Sequence, residues 1–213
     1  MSGLLTPEAA IEYWDRRHRQ QGDLRSGGDI GLDEGTNEIF YAIRLGKLLD
    51  IIGHDTSATE PLFALDAGCG KGFFSEALAR CGHGVVGIDT SEHAITSCRA
   101  DGRAEYAVSS LAGYRSPWLF DVVYSVDVLF HILDDVEWEA SLRNLASLVR
   151  LSGKLVVTDE DNDEAVRRGN YIVHRARADY RGLADDCGLE FRDFRPYDFR
   201  DNRIGFHVFT RTC

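Results

Sequence analysis

The sequence predicts an α/β fold: a doubly wound, mostly parallel sheet of seven strands, with an antiparallel last strand and an N-terminal helical cap. The first observation is that short apolar runs alternate with helical patterns from Pro61 onward, which is typical of a parallel sheet covered by helices on both faces. The second is a pair of β-rich runs at 189–195 and 204–211. About eight residues separate these runs, too few for a parallel crossover, so they are expected to pair antiparallel.

The N-terminal segment carries helix signals. Thr6-Pro7-Glu8 combines a hydroxyl N-cap, a proline at the first helical position and an acid at the positive end of the helix dipole. A glycine-rich stretch over 22–35 is expected to be a mobile loop, and a second helix with regular apolar spacing ends at Gly53. Residues 1–55 are therefore predicted to be a helical cap on a core formed by residues 56–213.

The core elements follow from short apolar runs bounded by turn residues and from the helical periodicity between them. Strands are predicted at 62–66, 85–89, 104–108, 120–125 and 154–158, before the terminal pair. Helices are predicted at 73–81, 91–99, 136–149 and 177–187. The carboxyl ends of the parallel strands then share one edge of the sheet, which is where open α/β sheets bind ligands.

Charge and composition narrow the function. The 213 residues carry a formal net charge of −11, which argues against nucleic acid and anionic membrane as partners, because both need clustered Lys and Arg. No apolar run approaches the roughly 20 residues that cross a bilayer, and no signal peptide is visible. The five cysteines form no C-x-x-C pair, so no zinc site or disulfide framework is expected. Reduced thiols in a cytoplasmic protein are predicted.

The central motif is Asp66-Ala67-Gly68-Cys69-Gly70-Lys71-Gly72, between the first core strand and its helix. Glycines at this point let the backbone approach a ligand near a helix N-terminus. The glycines fall as G-x-G-x-G, whereas a dinucleotide fingerprint reads G-x-G-x-x-G. A carboxylate just before them would repel a pyrophosphate but suits a cationic sulfonium ligand.

This motif resembles the first motif of class I S-adenosylmethionine-dependent methyltransferases of the small-molecule type. The resemblance continues in Val85-Val86-Gly87-Ile88-Asp89, which is similar to the second motif, and in 120–125 followed by 128–132, which is similar to the fourth-strand motif. The segment 148–155 resembles the turn into the fifth strand. Four motifs in order, over roughly residues 60 to 211, imply the Rossmann-like methyltransferase fold and S-adenosylmethionine as the cofactor.

The resemblance also implies roles for single residues. Gly68 and Gly70, with Cys69 between them, would pack against the methionine and ribose parts of the cofactor, and Asp66 would orient that region. Asp89 would hold the ribose diol, with Thr90 beside it. The other expected cofactor contacts are Ser110 and Leu111 near the adenine, Ser125 beneath the methionine end, and Trp14 and Arg25 closing over the site from the N-terminal segment.

Two departures from the family pattern are visible. The turn into the fifth strand reads Leu151-Ser152-Gly153 where the family usually has Pro-Gly-Gly. The loop after the third strand reads Val108-Ser109-Ser110-Leu111 and lacks the usual acid for the adenine amino group. A serine hydroxyl or a backbone N–H is the alternative partner for the adenine.

His131 is the candidate catalytic base. It follows the fourth strand, and an imidazole titrates near neutral pH, so it could take a proton from a hydroxyl or an amine. The alternative is a histidine that only lines the cleft. Asp127 lies four residues earlier and would share a helical face with His131, either to orient the imidazole or to cap the helix.

Two charged segments remain after the fourth strand. The acidic run 159–164 could hold a divalent cation, but a solvated loop is favoured and no metal site is predicted. His174, Arg175 and Arg177 could bind a substrate carboxylate or phosphate. Their alternative role is to pair with those acids.

The predicted function is methylation of a small-molecule acceptor, with O-methylation favoured over N-methylation because His131 is present. Tyr13-Trp14-x-x-Arg17, the glycine-rich loop and 127–131 resemble bacterial methyltransferases of secondary metabolites or sugars. One alternative is a cofactor-binding module whose activity has decayed. The other is an NAD-dependent oxidoreductase, against which the position of the third glycine counts.

Overall fold

The computed structural model describes residues 4–53, 60–100 and 102–213. The strands are β1 Phe63–Ala67, β2 Gly84–Asp89, β3 Glu105–Val108, β4 Phe120–Ser125, β5 Val149–Glu160, β6 Val166–Arg168, β7 Ile172–His174, β8 Leu189–Pro196 and β9 Ile204–Arg211. The helices are α1 Pro7–Gln20, α2 Asp23–Gly27, α3 Glu34–Ile52, α4 Phe73–Arg80, α5 Glu92–Arg99, α6 Asp135–Ser147 and α7 Arg177–Asp186. A 3-10 turn, Leu129–His131, follows β4.

Seven strands form one sheet in the order β3-β2-β1-β4-β5-β9-β8. The first five pair in parallel, and β9 runs antiparallel to both β5 and β8. The predicted fold class is confirmed. The strand order reverses between β1 and β4, so a crevice opens at the carboxyl ends of these two strands.

The predicted helix signals operate as expected. The hydroxyl of Thr6 accepts a hydrogen bond from the Ala9 N–H at 3.3 Å, and Pro7 opens α1. Asp33, for which no prediction was made, caps α3 in the same way, accepting from the Thr36 N–H at 2.8 Å. Gly53 ends α3 with a φ of 76°, a left-handed conformation that glycine adopts without steric cost.

Two apolar clusters pack on opposite faces of the sheet. Alternate residues of β1 divide between them, with Leu65 in the cluster under α6 and α7 and Ala64 in the cluster under α3 and α4. Leu48, Ile51 and Ile52 of α3 belong to the second cluster and are buried. Helix α3 is therefore part of the helical layer on the sheet, while α1 and α2 lie further out.

The structure adds elements that the sequence patterns do not show. Part of the glycine-rich stretch predicted as a loop forms α2, because the Arg17 guanidinium donates to the carbonyl oxygens of Arg25 and Gly28. The segment after β5 forms an antiparallel hairpin, β6–β7. Its strands have three residues each, too few to display a periodicity. Among the described ranges, no helix is long and apolar enough to span a membrane.

Candidate active site

A cavity of about 570 Å³ lies at the carboxyl ends of β1, β2 and β4. The loop after β1 and the loop after β2 form one side of it, and α1, α2 and α3 form the other. A smaller cavity of about 180 Å³ adjoins it. The residues that line both are Trp14, Gly27, Arg44, Asp127 and His131. These residues therefore lie between the two cavities.

The glycine loop sets the wall of the larger cavity. Gly68 has a φ of 86°, and a Cβ atom at this position would lie 2.4 Å from Cγ2 of Val128. Only glycine fits there without displacing its neighbour. The N–H groups of Gly68 and Cys69 both donate to the carbonyl oxygen of Ile88, at 2.8 and 2.9 Å, which ties the loop to the end of β2.

Asp89 lies half-buried at the carboxyl end of β2 and lines the cavity together with Thr90. Its Oδ2 accepts a hydrogen bond from the Gly70 N–H at 2.9 Å, and its Oδ1 accepts from the Ser91 N–H at 2.9 Å. A carboxylate has room for about four hydrogen bonds, so two acceptor positions remain for a ligand. Such a carboxylate suits a vicinal diol.

The loop after β3 also contributes to the wall of the larger cavity. Ser110 and Leu111 line it, and the Ser110 hydroxyl accepts from the Gly113 N–H at 3.0 Å. The Leu111 carbonyl is already bonded by the side-chain amide of Asn144 at 2.7 Å. This loop therefore offers a ligand the Leu111 side chain and a serine hydroxyl.

His131 faces the cavity from the 3-10 turn. Its Nδ1 lies 2.9 Å from the carbonyl oxygen of Tyr171, and because a carbonyl only accepts, Nδ1 must carry the proton. Nε2 is then an unprotonated acceptor. Burial lowers the pKa of His131 to about 4, so the imidazole is neutral at pH 7. The Trp14 ring packs edge-on against it, with 4.6 Å between centroids.

Arg44 of α3 is almost completely buried and lies at the boundary of the two cavities. Its Nη1 forms an ion pair with Asp127, and its guanidinium carbon lies 4.1 Å from the ring centroids of both Phe40 and Tyr41. Its Nη2 has no hydrogen-bond partner among the described residues. A buried guanidinium donor without a partner is costly unless a ligand oxygen or an ordered water accepts from it.

The comparisons with known proteins agree with this geometry. Residues 64–153 match the model of a family described as a methyltransferase domain. The ubiquinone biosynthesis O-methyltransferase of Ralstonia nicotianae is 36% identical over 160 residues, which are 63% of this chain and 66% of that protein. The mitochondrial enzyme of the same name from Schizosaccharomyces pombe is 35% identical over 102 residues, 44% of this chain and 36% of that protein. The chain thus spans between about a third and two thirds of the length of these two curated relatives.

Solved structures extend the likeness over the whole chain. Magnesium protoporphyrin IX methyltransferase from Synechocystis, with bound S-adenosylmethionine, has a TM-score of 0.74 at 20% identity and covers 100% of both chains. A Burkholderia thailandensis 1,6-didemethyltoxoflavin N1-methyltransferase has a TM-score of 0.67 at 16% identity, covering 100% of this chain and 93% of that one.

Residues 64–153 of this chain form a methyltransferase domain, and the whole chain has the fold of S-adenosylmethionine-dependent methyltransferases.

The methyltransferase domain has a cradle that fits its cofactor, S-adenosylmethionine. The buried guanidinium of Arg44 lines the cavity and offers a positive charge that suits the α-carboxylate of the methionine end, and Gly68 lets a ligand approach the backbone beside it. The free acceptor positions of Asp89 suit the ribose hydroxyls. His18 of α1 also lines this part of the cavity, and its ring lies over Gly70, where a Cβ would come within 3.2 Å of Cε1.

Most of the cofactor residues expected from the methyltransferase motifs lie together in this cavity. Those that line it are Trp14, Gly68, Cys69, Gly70, Asp89, Thr90, Ser110 and Leu111. Arg44 and His18 also line the cavity, although the sequence motifs predict a cofactor contact for neither residue. Arg44 interrupts an apolar helix pattern, and that is the one signal that could have indicated a special role.

Asp66, Ser125 and Arg25 lie outside the lining of this cavity. The carboxyl of Asp66 is fully buried and accepts from the Ser75 hydroxyl at 2.6 Å, and burial raises its pKa to about 7. The expected carboxylate charge beside a cationic ligand is therefore weakened. The Ser125 hydroxyl donates to the carbonyl oxygen of Ala67 at 2.8 Å, and Arg25 donates to that of Ile30 at 3.0 Å.

The expected link between Asp127 and His131 is wrong. Asp127 has a φ of 57° and is not on a helix with His131, so the two residues do not share a helical face. Its carboxylate is bound instead by Arg44 and by the Tyr197 hydroxyl, the latter at 2.8 Å. Tyr171 is the residue that binds the imidazole of His131.

The three residues predicted to bind substrate pair with acids instead. His174 Nδ1 lies 2.5 Å from Asp159, Arg175 bonds Asp135 at 2.9 Å, and Arg177 bonds Asp161 and Asp163 at 3.3 and 2.9 Å. None of the three lines either cavity. The acidic run therefore pairs with His174 and Arg177, which is the alternative that the sequence left open, whereas Arg175 pairs with Asp135 of α6. Within the described ranges, no three His, Cys, Asp or Glu side chains group as metal ligands.

Proposed function

We propose that the chain methylates a hydroxyl oxygen of a small-molecule acceptor. The observation that carries this proposal is the tautomer of His131, whose unprotonated Nε2 stands at the junction of the two cavities. A hydroxyl must lose its proton as it is methylated, so an acceptor nitrogen at this point serves that chemistry. The curated relatives are named as O-methyltransferases, which supports oxygen over nitrogen.

The larger cavity is proposed to hold the cofactor. Asp89 would bind the ribose hydroxyls, Arg44 the α-carboxylate, and Ser110 with Leu111 the adenine. The proposed cap consists of α1 and α2, with Trp14 covering the junction. When bound, S-adenosylmethionine supplies a methyl group on a sulfonium centre that is open to attack by a nucleophile.

The smaller cavity is proposed to hold the reacting part of the acceptor. Its wall contains several aromatic rings, those of Trp14, Phe40, Phe130 and Tyr171, which favour a flat and largely apolar group. His131 would hold the acceptor hydroxyl and take its proton at Nε2. The low pKa of this imidazole gives a weak base, so its contribution is to orient the oxygen and to receive the proton as the oxygen becomes acidic. The five free cysteines favour a reducing compartment such as the cytoplasm.

The test begins with isothermal titration of S-adenosylmethionine, S-adenosylhomocysteine and NAD into the purified protein. Micromolar binding of the first two, lost in Asp89→Ala, supports the cofactor site. Binding of NAD alone would overturn it. Mass spectrometry of a panel of phenolic, alcoholic and amine acceptors then reads the methylated atom, and a product methylated only on nitrogen contradicts O-methylation.

The His131→Ala variant separates an enzyme from a module that binds cofactor without turnover. With an acceptor found in the panel, we expect full cofactor affinity and a turnover reduced on the order of a hundredfold. Cofactor binding with no product from any acceptor would favour the decayed module. An unchanged rate would remove His131 from the mechanism.

A further inference from the structure

The β6–β7 hairpin is fastened to the carboxyl end of β5 at two points. His174 Nδ1, on β7, lies 2.5 Å from Oδ1 of Asp159, and the His174 side chain is only 3% exposed. Arg168, on β6, donates to Glu160 at 2.6 Å. Both acids are buried at the end of a central strand, so they form a rigid base for a hairpin of two very short strands.

Asp159 is itself held from several sides. Its Oδ2 accepts from the Tyr180 hydroxyl at 2.7 Å and from the Arg175 N–H at 3.3 Å, while its Oδ1 faces His174. A carboxylate only accepts, so the Nδ1 of His174 is the donor in their contact. The Glu160 N–H also donates to Oδ1, at 2.7 Å, and four donors on one buried carboxylate leave it little freedom to move, so β7 is fixed with it.

The tip of the same hairpin holds the proposed base. Tyr171 immediately precedes β7, and its carbonyl oxygen accepts the proton of His131 Nδ1 at 2.9 Å. The Tyr171 ring also lies parallel to the His131 ring, at 8° and 5.8 Å between centroids. The ring centroids of Phe130 and His174 are 5.1 Å apart. The 3-10 turn therefore contacts β7 at His174 as well as the residue before it, Tyr171.

We propose that Asp159 and His174 are positioning residues that fix the tautomer of His131 through the hairpin. The inference rests on the proposed function of His131 and extends it to two residues that touch neither cavity. A neutral imidazole carries its proton on either nitrogen, and a hydrogen bond at one nitrogen decides which. Only the Nδ1–H tautomer leaves Nε2 able to accept the proton of an acceptor hydroxyl. Loosening β7 displaces the Tyr171 carbonyl and removes that control.

The experiment reads the tautomer directly by NMR of protein labelled with ¹⁵N-histidine, using the ¹⁵N shifts and long-range couplings of the His131 ring. The His131 signals are assigned by their loss in His131→Gln. The variants are His174→Leu, which removes the donor to Asp159, and His174→Asn, whose side-chain amide can donate in its place. Arg177→Ala is the matched control, because Arg177 pairs with the same acidic segment but does not belong to the hairpin.

We expect His131 to carry its proton on Nδ1 in the wild type, in His174→Asn and in the control. In His174→Leu we expect a mixture of tautomers and a turnover reduced on the order of tenfold, with the dissociation constant of S-adenosylmethionine changed less than about twofold. An Nε2–H tautomer in the wild type, or an unshifted tautomer in a folded His174→Leu, overturns the inference.

A second variant covers the case in which His174→Leu does not fold. Arg168→Met breaks the other anchor at a half-exposed side chain, so the fold should tolerate it, and we expect a smaller shift in the same direction. A folded Arg168→Met with the wild-type tautomer contradicts the inference. The proposed function fails separately, if titration shows no binding of S-adenosylmethionine or no acceptor is methylated, whatever the tautomer of His131.

Discussion

The two halves of the active site are built differently. The cofactor half, formed by the loop 68–72 and Asp89, lies within one stretch of about twenty residues and shapes its wall mainly with backbone. The acceptor half joins His131 to Tyr171, and at its boundary with the cofactor half Arg44 pairs with Asp127, so side-chain contacts connect segments far apart in the chain. A site made of backbone depends on local conformation and can be recognised in a sequence. A site made of side-chain networks depends on tertiary packing and cannot be recognised in the sequence alone.

The largest effect is expected from Arg44→Leu, which tests the side-chain network where the two halves meet. The substitution leaves Asp127 without its cation, and breaking a buried pair typically costs about 3 to 5 kcal/mol of unfolding free energy. We also expect cofactor affinity to fall by at least about tenfold. Urea denaturation and isothermal titration measure the two quantities.

The matched control is the double variant Arg44→Leu with Asp127→Asn. Removing the charge of Asp127 should restore most of the lost stability, whereas cofactor affinity should stay low. Wild-type stability in Arg44→Leu alone would show that the ion pair between Arg44 and Asp127 does not stabilise the protein.

The cofactor half is tested by Gly68→Ala. The added methyl group would lie 2.4 Å from Val128 at a φ of 86°, so we expect a loss of about 2 to 3 kcal/mol and no measurable binding of S-adenosylmethionine. Gly46→Ala is the control, since Gly46 is inside α3 with open space around it. There alanine should stabilise by about 0.5 to 1 kcal/mol, because glycine is a poor helix former. Equal stabilities of the two variants would contradict the crowding at Gly68.

His131 and Asp66 are expected to change the stability of the protein with pH in opposite directions. The pKa of His131 is lowered to about 4, so the unfolded chain binds the extra proton first and this residue costs stability as pH falls from about 6.5 towards 4. The pKa of Asp66 is raised to about 7, because burial favours the protonated carboxyl. Its contribution to the free energy of unfolding is therefore complete below about pH 3.8 and is lost as the pH rises towards 7.

Denaturation at pH 7.5 and pH 5 checks both signs. Relative to wild type, His131→Gln should gain about 2 kcal/mol on going to pH 5, because the variant has no imidazole to protonate. Asp66→Asn should instead gain relative stability on going to pH 7.5. Parallel pH profiles for wild type and His131→Gln would rule out the lowered pKa.

The smallest effect is expected from Arg177→Ala. Arg177 pairs with Asp161 and with the exposed Asp163, and such surface pairs contribute less than about 1 kcal/mol. Cofactor affinity and the KM of any acceptor should be unchanged. A large increase in that KM would restore the substrate-binding role that the sequence suggested for this arginine.

The same contrast explains what the sequence could predict. The strand–loop–helix order of the core, the caps of α1 and α3 and the positions of Gly68 and Asp89 depend on local periodicity and on residue type, and the fold class was confirmed. The β6–β7 hairpin is too short for a pattern to show. Arg44 pairs with a carboxylate 83 residues away, and no local feature of α3 indicates that partner.

Asp127 and His131 both line the cavity, as the sequence suggested, but they do not share the helical face that was predicted for them. A spacing of four residues places two side chains on one face only if the intervening backbone is helical. Here the backbone at Asp127 turns into the left-handed region, and the helical segment that follows is a single 3-10 turn. His131 still reaches the cavity, because the end of β4 and not a helix determines its place.

Helix α1 has a consequence for the rate of the reaction. It lies over the glycine loop, fastened by the hydrogen bond from Ser91 to Asp15 at 2.7 Å and from Lys71 to the Gln21 carbonyl at 3.2 Å, and only Arg17 and His18 of its residues are buried. Detaching such a helix costs far less than unfolding the sheet. Because the proposed cofactor cavity is lined by this helix, we expect its opening, and not methyl transfer, to limit turnover, so that a deuterated methyl group would leave kcat unchanged.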